Sequence, residues 1–124
     1  MKHSWTKLLI FIILITLSGC EERESPNKET LPMMDTLRGL YEIFHDGEID
    51  QAILNNEIVF GASYNAYDAA AIIFDITGRI IGECDYAWGP IDTICYQITD
   101  IEVIYRYKHH ISGLRPVDKY HLGD

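Results

Sequence analysis

The stretch Leu8 to Cys20 is an apolar run that sits behind Lys2 and Lys7 and stops at the small residues Ser18 and Gly19. A short basic segment, an apolar core and a small-residue end make the layout of a secretory signal, and the run is too short for a membrane span. It removes the first nineteen residues from any folded core. Of 124 residues, 105 then remain, enough for one small domain and a tether. Lys2 and Lys7 leave with the signal, which moves the net charge from −9 to −11. A surface that acidic repels nucleic-acid phosphates and does not adhere to anionic lipid by charge.

Leu17-Ser18-Gly19-Cys20 resembles the lipobox of bacterial lipoproteins. The resemblance implies cleavage before Cys20, diacylglycerol on its thiol and an acyl chain, such as palmitate, on its amine. The alternative is an uncleaved N-terminal anchor helix. Two or three acyl chains hold a protein at a bilayer far more firmly than one. Residues 20–34 are charged, broken by Pro26 and Pro32 and without period, which predicts a flexible tether. The acidic residues after Cys20 resemble surface-export signals of Bacteroidetes-type lipoproteins. Glu21 stands where the inner-membrane retention signal of enterobacteria has Asp. Both features point to the outer membrane in a Gram-negative envelope.

With Cys20 taken by lipid, Cys84 and Cys95 remain, an even pair in a chain that leaves the reducing cytosol. A Cys84–Cys95 disulfide is the expectation, with two buried free thiols as the rival. No His or Cys stands beside either one at metal-ligand spacing.

The domain is expected over 35–124. Leu37, Leu40, Tyr41 and Phe44 recur at i, i+3, i+4 and i+7 and predict a one-sided helix capped by Asp35. A turn follows near Gly47, and residues 50–56 read as a second short helical piece ending at Asn55-Asn56. From Glu57 the residues favour strand. Ile72-Ile73-Phe74 and Ile80-Ile81 flank Ile76-Thr77-Gly78, a hairpin over about 71–84 whose Gly78 takes positive φ. Pro90 opens a helix over about 90–99, with Ile91, Ile94, Cys95 and Ile98 on one face. Ile101 to Lys108 alternates as a half-buried strand, and 114–120, broken by Pro116, is at most a short edge strand. The order predicts an α+β fold, with a small mixed or antiparallel sheet and the 90–99 helix packed on one face. Through Tyr67-Asp68, Ile73-Phe74-Asp75, Gly78 and Ile81-Gly82 the hairpin region resembles small domains of Bacteroidetes-type lipoproteins, a resemblance that implies no activity.

No nucleophile elbow, phosphate loop or His-Glu-x-x-His pair occurs, so no catalytic residue, metal ligand or cofactor is assigned. Asp46, Glu48, Asp50 and Glu57 fall at positions 1, 3, 5 and 12 of a calcium-loop frame, but Gln51 replaces the glycine its sharp turn needs. His109, His110 and His121 read as neutral surface histidines in and near a turn, with a loose imidazole cluster for Zn²⁺ or Cu²⁺ as the alternative. Asp75, Glu83, Asp85 and Asp92 surround the hairpin, and two of them acting as acid and base would make a small envelope hydrolase. The aromatic loop Tyr86-Ala87-Trp88 is the main candidate for partner contact. An outward Trp88 would be a braced anchor, widened by Tyr64 and Tyr67; an inward one would plug the core. The leading expectation is a lipid-anchored protein whose domain binds an envelope protein, peptide or glycan, possible roles including inhibitor or immunity protein.

Overall fold

In the computed structural model, residues 30–87 and 91–124 are described. Helix α1 (Thr30–Phe44) leads into a six-stranded antiparallel sheet of β1 (Glu48–Leu54), β2 (Glu57–Ser63), β3 (Ala71–Asp75), β4 (Ile80–Cys84), β5 (Thr99–Arg106) and β6 (Val117–Asp118). The spatial order is β4-β3-β2-β1-β5-β6, an open sheet, so the chain has the α+β fold expected of it. Among the described residues no helix is long and apolar enough to cross a membrane.

The helix buries the stripe read from its spacing. Leu37, Leu40 and Phe44 are fully covered, and Met33, Met34 and Tyr41 flank them. They meet Ile49, Phe60, Ala62, Phe74 and Ile104, which make the main core between helix and sheet. The helix begins at Thr30, ahead of Asp35, whose carboxylate instead pairs with Arg38 on the surface. Gly47 ends the helix by donating its N–H to the Phe44 carbonyl at 2.8 Å. A Cβ on Gly47 would overlap the Ser63 carbonyl oxygen, so only glycine lets β2 close against this turn.

Residues 50–56 are not helical; they complete β1 and its turn. Asn55 and Asn56 both take left-handed φ, 51° and 64°, which makes the two-residue turn whose twist suits an antiparallel hairpin. Pairing on both sides, to β2 and to β5, overrides the helix preference of Gln51, Ala52 and Leu54. The β3–β4 hairpin matches its expectation, with Gly78 at φ 88°. Asp75 shapes that turn by accepting from Thr77 and Arg79 N–H, and the Thr77 hydroxyl chiefly holds its carboxyl below the usual range.

The expected 90–99 helix is a 3₁₀ turn of four residues, Thr93–Tyr96. Cys95 is bonded to Cys84 with Cα atoms 5.9 Å apart, and β5 begins at Thr99, so the segment has no length for further turns. Its apolar positions were nonetheless read correctly. Ile91, Ile94 and Ile98 pack with Cys95 onto Ala52, Val59, Ile73 and Cys84, on the sheet face opposite the helix. In β5 a bulge at Ile104 turns both Ile104 and Tyr105 toward the helix core, which breaks the strict alternation read from the sequence.

Candidate functional site

Strand β1 sends Ile49 to the helix core and Glu48, Asp50 and Ala52 to the other face. Asp50 stands directly across from Gly61 on β2 and from Val103 on β5. Gly61 has no side chain, and Ala52 and Ala71 are short, so the row leaves a hollow of about 100 Å³. Val59, Ile73, Cys84 and Ile98 form its walls, and Tyr86 and Ile101, 70% and 62% exposed, stand at its mouth. The Cys84–Cys95 bond holds the covering segment to the wall.

Asp50 is the one charged side chain of the lining, which is otherwise apolar apart from Tyr86 at the mouth. Asp50 Oδ1 is closed to solvent and has no hydrogen-bond partner among the described residues. Burial pushes this carboxyl up to about 7; the Glu48 charge adds to the rise and the Arg106 guanidinium opposes it. A hydrogen bond shared with the Glu48 carboxyl raises it further, so the atom without a partner is Oδ1 and not the whole carboxyl. Glu48 is itself held by Arg106, whose Nε donates to Oε2 at 2.6 Å while Nη1 donates to the Arg115 carbonyl at 3.1 Å. Near neutral pH the pocket therefore presents a carboxyl divided between two protonation states. It accepts a hydrogen bond when ionised and can donate one when protonated.

The sequence singled out Asp50 only as a member of a calcium frame. That frame does not assemble: Asp46 and Glu57 stand at opposite ends of β1, whose seven residues span roughly 20 Å. No group of three His, Cys, Asp or Glu suited to a metal occurs among the described residues. His109 packs its ring against Tyr107, His110 meets the Ser112 hydroxyl and His121 meets Asp124. Asp75 and Asp92 are engaged in turns, Asp85 accepts from the Ala87 N–H at 3.0 Å, and Glu83 is exposed on the edge strand. The two neighbouring carboxyls that interact are Glu48 and Asp50.

Of the aromatic candidates, Tyr86 lies at the pocket mouth. Tyr64 packs on Phe44 with ring centroids 4.8 Å apart, on the helix side, and Tyr67 is 87% exposed. Trp88 lies outside the described residues. Gly61, Ile98 and Ile101 were not read as site residues; an acid alternating with apolar residues on a strand, with a glycine across the turn, is the signal that was there to find. Comparison of the chain with protein families, with curated proteins and with solved structures finds no match.

Proposed function

We propose that this chain is a lipid-anchored envelope protein whose domain captures a ligand in the pocket above Asp50 rather than transforming it. Acyl chains on Cys20 would hold it at the membrane, and residues beyond Cys20 would let the domain stand off the bilayer, on the outer membrane of a Gram-negative host. The observation that carries the binding reading is the Asp50 carboxyl, the one charged side chain lining a largely apolar hollow. A half-buried carboxyl with one oxygen closed to solvent is costly to keep ionised, and such groups concentrate at binding sites.

Two measurements test the two halves of this reading. Radiolabelled palmitate should enter the wild-type chain and not a Cys20→Ser variant; equal labelling of both removes the anchor. NMR of the full chain in detergent, titrated with small polar–apolar fragments, should shift the amides of Ala52, Gly61 and Ile73. Fragments that move only scattered surface amides remove the pocket.

A second reading rests on the Glu48–Asp50 neighbourhood, since an acid near 7 beside a second carboxyl suits acid–base work. It makes the chain a small envelope hydrolase using paired carboxylates, and turnover on a glycan panel that Asp50→Asn abolishes would favour it. Against it stands Arg106, which already occupies Glu48.

A further inference from the structure

We infer that the group this pocket takes is a primary ammonium on a short alkyl stem, seated with its N–H on Asp50 Oδ2, the carboxyl oxygen beside Gly61. The inference rests on the pocket reading above and adds the chemical class. Asp50 is the one charged side chain lining the hollow, and once ionised it only accepts, so a ligand that pairs with it brings a donor. The walls are Ala52, Val59, Ile73 and Ile98, so whatever follows the donor is apolar. The hollow of about 100 Å³ has room for an alkyl stem.

Charge selects among donors. The chain is acidic overall, at −9, and the cation that acts on Asp50 is Arg106, already bonded to Glu48 and to the Arg115 carbonyl. A guanidinium gains most from two parallel bonds to one carboxylate, whereas Oδ1 is closed off and leaves Oδ2 beside Gly61 as a single contact suited to a compact ammonium. A free alkylamine and a lysine side chain on a partner protein share this chemistry.

The seat is linked to protons. The groups facing Asp50 are Gly61 from β2, Val103 from β5, Ile73 from β3, and Ile98 and Tyr86 from the covering segment, with Glu48 and Arg106 as the charges that act on it. An ammonium binds the ionised carboxyl and displaces its proton. Affinity should therefore rise about tenfold per pH unit up to about 7 and level off above it.

The test is NMR titration of the full chain in detergent at pH 5, 6, 7 and 8. The probes are n-butylammonium, Nα-acetyl-lysine N-methylamide, n-butanol, butyrate and n-butylguanidinium. Butylammonium should move the Ala52, Gly61 and Ile73 amides with the stated pH slope. Asp50→Asn should weaken it at least tenfold and flatten the slope. Gly61→Ala, which adds a methyl beside Asp50 without touching charge, should weaken it and keep the slope; this variant decides the matter if Asp50→Asn fails to fold. Binding of the lysine probe as well assigns the seat to a partner's side chain, and binding of butylammonium alone assigns it to a free amine. If butanol or butyrate binds as tightly, or affinity falls with pH, the ammonium class is overturned while the pocket stands. If no probe moves these amides, both fall.

Discussion

The two faces of the sheet are built on opposite plans. Under the helix, Phe44, Phe60, Leu37, Ile49 and Ile104 are large and fully buried, and aromatic rings meet at close range, Phe44 on Phe74 at 6.2 Å between centroids. Across the sheet, the buried residues are Ala52, Val59, Ile73 and two cysteines, with a glycine and a carboxyl in the same row. The first face fills its volume and gains stability from contact. The second leaves a hollow and closes it with a covalent bond, where packing alone is thin. A domain this small cannot hold an underfilled, polar-floored face unless the other one carries the load.

Breaking the filled face should have the largest effect. Phe60→Ala removes a ring that sits across from Phe74 and is fully buried, at a cost of about 4 kcal/mol. That is most of what holds a domain of this size together, and thermal unfolding by circular dichroism should show a variant melted or near it at 25 °C. The double change Cys84→Ser with Cys95→Ser comes next. Losing a crosslink between positions 11 apart should cost about 3 kcal/mol. Hydrogen exchange should quicken first at Ile73 and Ile81, beside the broken strap, while Leu40 and Phe44 keep their protection until global unfolding. Equal loss on both faces would contradict the division of labour.

The carboxyl gives the comparison a pH signature. Folded Asp50 holds its proton to about 7, against 3.8 for the ordinary group. Between those values the unfolded chain ionises first, so this group's contribution is full below about 4 and is lost as pH rises to about 7. Above that the penalty is constant, on the order of 4 kcal/mol. Asp50→Asn cannot ionise there. Relative to wild type it should be near neutral at pH 4 and more stable by that amount at pH 8, read from urea midpoints. A difference that does not change with pH would mean that Asp50 is solvated and the hollow is wet.

What the sequence reveals divides along the same line. The helix stripe, the Gly78 turn and the cysteine pair are legible because each is a local pattern with its own period or spacing. Even the residues of the 90–99 segment are right where its backbone is not: Ile91, Ile94 and Ile98 reach the sheet from a 3₁₀ turn as they would from a helix. Strand β1 is misread because Gln51, Ala52 and Leu54 favour helix locally, and pairing to β2 and to β5, the latter some fifty residues on, settles it as strand. The pocket is the least legible feature. It needs the register that sets Asp50 across from Gly61 and the strap that brings Ile98 over both, and no window of sequence contains all of these.

The smallest predicted effect is also the sharpest probe of the hollow. The row Asp50, Gly61, Ile73, Gly82 crosses four strands and contains two glycines. A Cβ on Gly82 would run into the Ile94 side chain, so that vacancy is already filled by the covering segment. A Cβ on Gly61 would meet Ile73 Cδ1 at 3.5 Å and Asp50 Oδ2 at 3.8 Å, ordinary contact distances, so that vacancy is open. Alanine at 61 also narrows the unfolded ensemble, and Gly61→Ala should therefore stabilise the domain by about 0.5–1 kcal/mol, roughly 2–8 °C in Tm. Gly82→Ala should do the reverse, because Ile94 must give way beside the disulfide. If both changes destabilise alike, the space beside Asp50 is occupied rather than waiting, and the contrast between the two faces narrows to one of residue size.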